Sequence, residues 1–68
     1  MNTFAANLRK IRKEQGLTQD RVAKAICIDR TTYCKYENGV TVPPLDMFLL
    51  LCRVLQVTPN QLFGWNEP

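Results

Sequence analysis

Between Asp29 and Gly39 the chain reads DRTTYCKYENG, a stretch rich in side chains suited to noncovalent recognition. Arg30 offers a planar fork of donors that matches paired acceptors, and Lys35 puts a cation on a long stem. Thr31 both donates and accepts a hydrogen bond and carries a methyl group, and Cys34 is small. Nothing comparable exists for catalysis. There is no histidine, no clustered pair of carboxylates and no glycine-rich phosphate loop, and the cysteines Cys27, Cys34 and Cys52 have spacings that fit no zinc site. The expectation is a binding protein, not an enzyme, that needs no metal and no cofactor.

Positioning such a stretch requires elements around it, and the sequence punctuates itself into five short helices. The first spans about 3–15, with Phe4, Leu8 and Ile11 at helical spacing, and Gly16 stops it. Thr18 caps a second helix whose inner face is Val22, Ala23 and Ile26. Arg21 stands where a capping box would put glutamate, and Cys27-Ile28 makes a tight connection. The third helix is the opening stretch, begun by Asp29 and stopped by Asn38-Gly39. Pro43-Pro44 starts a fourth that runs to about Leu55. Thr58 caps a short fifth helix with Pro59 at its first position and Gln61 completing a capping box. Strand signals are confined to the run Val40–Val42, which Pro43 ends. The fold class expected is all-α, a compact five-helix bundle forming one domain over 1–68, with its core at about 3–64.

Composition agrees with a small globular domain: 68 residues, 46% hydrophobic and 22% charged. Charge is unevenly placed. Residues 1–35 carry eight basic and three acidic side chains, a net +5, whereas residues 36–68 carry one basic and three acidic, a net −2. The N-terminal half therefore offers a face to anions. No secretory signal opens the chain, so the three cysteines read as reduced, mostly core-filling thiols of a cytoplasmic protein. The apolar run MFLLLC is too short to span a bilayer.

At 100° per residue, the third helix separates into two faces. Tyr33, Tyr36 and Glu37 fall on one side, and Arg30, Thr31, Cys34 and Lys35 span an arc of about 140° on the other. The aromatic side should pack on the core. The other side suits base edges in a major groove: Arg30 for the paired acceptors of guanine, Thr31 for a polar edge or the thymine methyl, and Lys35 for guanine or a phosphate. Cys34 lies on the same arc, where oxidation of its thiol would add bulk and polarity at the contact surface.

Two short helices with a tight connection, the second opening on small polar residues, have helix-turn-helix spacing. The marks GLTQ at 16–19, YENG at 36–39, Pro43 with Leu45, and Leu55-x-Val57-Thr58 occur in register over some sixty residues. Through them the chain resembles the helix-turn-helix domain of the phage repressor/Cro (XRE) family. That resemblance implies a sequence-specific, double-stranded DNA-binding transcriptional regulator, a repressor, with helix 29–38 in the major groove. It implies the same base-contact positions, Arg30, Thr31, Cys34 and Lys35. It also implies phosphate contacts at Thr18, Gln19 and Asn38, and a structural ion pair between Arg12 and Glu37. Free N–H groups at the start of the second helix suit the phosphate role.

Two positions depart from the family pattern. Val40-Thr41-Val42 replaces a loop that is basic in relatives, so fewer phosphate contacts and a shallower salt dependence are expected. Cys27 stands where glycine is common. The fourth helix is apolar on more than one face: Leu45, Phe48, Cys52 and Leu55 are expected inside, flanked by Leu49 and Leu51. Met47, Leu50 and Val54 then lie outside and, with Trp65, offer a dimer surface. Members of the family act as homodimers on palindromic operators, which implies a homodimer here, with no membrane contact and no small-molecule ligand. At this length no ligand-sensing domain is expected. The alternative function is a protein–protein interaction module, antitoxin- or adaptor-like, with weak DNA binding.

Overall fold

Each helix starts and stops for a local reason. The computed structural model describes residues 3–64 and contains α1 (Thr3–Glu14), α2 (Gln19–Ala25), α3 (Arg30–Glu37), α4 (Leu45–Leu55) and α5 (Pro59–Phe63), with no strand among the described residues. Thr18 accepts from the Arg21 N–H at 3.1 Å, and Asp29 accepts from the Thr32 N–H at 3.1 Å and the Thr32 hydroxyl at 2.6 Å. These bonds satisfy N–H groups that a helix start leaves without partners. Thr58 and Gln61 form a reciprocal capping box. The start of α4 differs from expectation: Pro44 is the residue before the helix, which begins at Leu45, and makes no side-chain cap.

Helices α1 to α4 all end in the same motif. A residue just past each helix is left-handed and its N–H bonds back three residues, while the next N–H reaches back five. At the end of α2 these bonds run from Cys27 to Lys24 at 3.1 Å and from Ile28 to Ala23 at 3.0 Å. Glycine fills the left-handed position after α1 (Gly16, φ 71°) and after α3 (Gly39, φ 75°). After α2 and α4 it is Cys27 (φ 61°) and Gln56 (φ 56°). The helix-turn-helix connection therefore keeps the glycine-type backbone without glycine.

Leu8, Val22, Ala23, Tyr33, Leu51, Leu55 and Leu62 form the centre of the core, all at 0–1% exposure. α1 packs on α3 and α5, α2 on α3 and α4, and α4 on α5. The Gln15 amide also donates to the Leu55 carbonyl at the end of α4, tying α1 to that helix.

α4 corrects the expected faces. Leu45 is 74% exposed instead of lining the core, and Leu51, expected on the flank, is fully buried. Met47 and Val54, expected outside, are half-buried against the core, whereas Leu50 is 41% exposed. In a helix this apolar the neighbours decide the face, and α2 and α5 meet the side that carries Leu51, Cys52 and Leu55. Trp65 lies outside the described residues. The cysteines also differ from expectation: only Cys52 is buried, while Cys34 is half-buried and Cys27 exposed.

Candidate nucleic-acid interface

α3 is held from behind and bare in front. Tyr33, Tyr36 and Glu37 are buried, Arg30, Thr31 and Lys35 are exposed, and Cys34 is half-buried between the two sides. Tyr33 and Tyr36 meet edge to face, with ring centroids 6.5 Å apart, and anchor the helix on the core.

Behind α3 sits a closed polar cluster. Arg12 of α1 grips Glu37 with two bonds, Nε to Oε2 at 2.5 Å and Nη2 to Oε1 at 3.1 Å, and donates Nη1 to the Leu17 carbonyl at 2.8 Å. The Tyr33 hydroxyl donates to Glu37 Oε2, and Gln19 Nε2 donates to Glu37 Oε1 at 3.1 Å. Glu37 thus accepts four bonds and is fully compensated, which a carboxylate with a 1% exposed side chain requires. Burial alone would push its carboxyl up. The bonds from Arg12, Tyr33 and Gln19 outweigh burial and hold it below the usual range. The Tyr33 phenol is pushed up, by burial first and then by its bond to Glu37 and that group's charge. One cluster therefore joins α1, the start of α2 and the end of α3, fixing the angle at which α3 presents its exposed arc.

Gln19 and Cys34 are drawn into this cluster. The Cys34 thiol donates to Gln19 Oε1 at 3.2 Å while the Gln19 amide donates to Glu37. Both side chains, expected at the surface, make contacts across the interface between α2 and α3. This link escaped the sequence because residues 15 and 18 positions apart are joined only by the fold. The Tyr33–Glu37 bond was findable, since residues four apart share a helix face. At the other end of α3, Asn38 is exposed; its backbone N–H bonds to the Cys34 carbonyl at 2.9 Å, and the Gly39 N–H bonds to the Tyr36 carbonyl. Thr18 is exposed at the start of α2, its hydroxyl taken up by the Arg21 N–H.

A separate surface is apolar. Leu45, Val42 and Phe63, which are 74%, 67% and 55% exposed, line an open groove of about 590 Å³ floored by Phe4 and Phe48. No group of three or more histidine, cysteine or acidic side chains able to hold a metal occurs among the described residues. No helix among them is long and apolar enough to cross a membrane.

Comparison with known proteins adds an independent line. A helix-turn-helix family profile matches residues 8–62. The uncharacterised HTH-type transcriptional regulator YobD of Bacillus subtilis is 33% identical over 64 residues, which cover 94% of this chain and 57% of that protein. The cryptic phage CTXphi transcriptional repressor RstR of Vibrio cholerae is 31% identical over 64 residues, covering 94% of this chain and 58% of that protein. The chain thus spans a little over half the length of these relatives. Among solved structures, the restriction-modification controller protein C.AhdI from Aeromonas hydrophila superposes with a TM-score of 0.85 at 31% identity, covering 91% of this chain and 94% of that one. Sequence match, helix order and the way α3 is mounted agree, and the protein belongs to the phage repressor/Cro (XRE) helix-turn-helix family.

Proposed function

We propose that this chain binds double-stranded DNA sequence-specifically and regulates transcription, acting as a repressor by occupying its operator. The observation that carries this is the mounting of α3: Arg30, Thr31 and Lys35 stand exposed on one arc while Tyr33, Tyr36 and Glu37 lock the other side to the core. In the major groove, Arg30 would make paired bonds to guanine, Thr31 would meet a base edge or thymine methyl, and Lys35 would reach guanine or a phosphate. Cys34 would sit at the rim of this contact. Thr18, Gln19 and Asn38 would meet the backbone, with the N–H groups at the start of α2 adding to them. RstR is a repressor and C.AhdI a controller protein, and both support the same role here.

The single helix-turn-helix unit would bind as a homodimer in the cytoplasm, on a palindromic site with half-sites about 10 base pairs apart. Among the described residues, Leu50, exposed beside the half-buried Met47 and Val54, is the part of the expected dimer surface that remains open. The test is selection of bound DNA from a random library. An enriched motif with two half-sites at that spacing supports the reading, and no enriched motif overturns it. The apolar groove at Leu45 and Phe63 favours a second reading, a protein-interaction module; equal retention of wild type and Arg30→Ala on random DNA at low salt would select it.

A further inference from the structure

The groove between α1 and the end of α3 is basic, and of its lining only Asn38 has so far been given a DNA contact. Its volume is about 520 Å³, and its lining includes Arg9, Lys10 and Lys13 of α1 together with Glu37, Asn38 and Gly39. We propose that Arg9 and Lys13, with the Asn38 carboxamide, form a phosphate-binding track that receives the DNA backbone beside the recognition helix. The inference rests on the DNA-binding reading and names a part of the interface that the sequence does not mark.

Four observations converge on it. Arg9 and Lys13 lie one helical turn apart, so they share a face of α1. Both are exposed, and neither is in an ion pair among the described residues, where the pairs are Arg12–Glu37 and Lys24–Asp20. The acid in the groove, Glu37, is already compensated by Arg12 and closed off by Tyr33 and Gln19, so it opposes an incoming anion little. The Asn38 side chain makes no hydrogen bond among the described residues, leaving a free donor at the C-terminal end of α3.

The track also answers two deficits. The loop Val40–Val42 has no charge to offer a phosphate. The Gln19 amide is shared with Glu37 and Cys34, so it has less to offer a phosphate than a free amide has. Two like charges four residues apart on a helix are mildly destabilising, so folding alone does not explain them. A phosphate between them would turn that repulsion into attraction.

Affinity for the selected operator and for random duplex DNA is measured against salt for wild type, Arg9→Gln/Lys13→Gln and Arg53→Gln, with thermal unfolding of each. Losing two phosphate contacts should make the log–log salt slope shallower by about 1.8. The affinity deficit of the double variant should then be about 12-fold larger near 50 mM than near 200 mM salt. The loss should be equal on both DNAs, with thermal stability unchanged or raised. Arg53→Gln, on α4, controls for loss of a cation away from the track and should keep the wild-type slope. An unchanged slope in the double variant, or an equal change in Arg53→Gln, overturns the track while leaving DNA binding intact. A wild-type protein without affinity for either DNA overturns both readings.

Discussion

Replacing Cys27 with glycine should stabilise this protein without touching its binding surface. Cys27 holds φ at 61°, a left-handed conformation that costs an L-residue about 1–2 kcal/mol. Its side chain is exposed, so removal forfeits little packing. Glycine lifts the steric cost but gives the unfolded chain more freedom, which returns about 0.4–1 kcal/mol. The net gain should be about 0.5–1 kcal/mol, which for a chain of this size raises Tm by about 2–8 °C. Cys27→Ala separates backbone from thiol, because it keeps the left-handed cost and should leave Tm near wild type. Gly16→Ala is the mirror experiment: φ is 71°, and a Cβ there would meet nothing within 4 Å, so its destabilisation should come from conformation alone. The assay is thermal and urea unfolding of the four proteins. Cys27→Gly no more stable than wild type, with Gly16→Ala equally silent, would refute the reasoning that backbone geometry sets these costs.

Further outcomes follow from the polar cluster and the core. Arg12→Met leaves Glu37 buried without its cation and should cost about 3 kcal/mol, the low end for a broken buried pair; a double-mutant cycle with Glu37→Gln should give coupling above about 1 kcal/mol, and additivity would remove the pair from the account. Because the folded Glu37 carboxyl lies below its ordinary range, its stabilisation is present above the unfolded pKa of about 4.3 and is lost as pH falls through the folded value. Acid unfolding of Glu37→Gln should accordingly be less steep than that of wild type. Tyr33 has the opposite sign: its folded pKa is raised, so its contribution holds below about pH 10 and disappears as pH climbs, and Tyr33→Phe should flatten the alkaline limb of the stability profile. Leu51→Ala should cost about 2–5 kcal/mol and Leu45→Ala under about 0.5 kcal/mol, the reverse of what the α4 pattern suggests, as urea unfolding would read out.

Helix starts and stops were legible because they are local. Asp29, Thr18 and Thr58 act on N–H groups within three residues, and Gly16 and Gly39 end helices by their own conformation. The two faces of α3 were legible because only one of them is aromatic. The face of α4 was not: with residues such as Leu45, Leu49, Leu50 and Leu51 all apolar, the period leaves several solutions, and α2 and α5 select one. Cys27 and Gln56 ending helices was hidden as well, since neither residue type announces a left-handed backbone. The joining of Gln19 to Glu37 and Cys34 depends on how α2 meets α3, which no local pattern encodes. The basic track proposed on α1 was visible only as charge; what marks Arg9 and Lys13 is their shared helix face along a groove that Asn38 also lines.

The central claim is that the exposed arc of α3 reads bases, and Arg30 tests it most directly. Affinities of wild type and Arg30→Ala should be compared on the selected operator and on every single-base-pair variant of one half-site. Arg30→Ala should lose discrimination at one position, a guanine, by about 1–3 kcal/mol, and keep the wild-type preference elsewhere. A uniform loss across all sequences, or none at all, would contradict the claim.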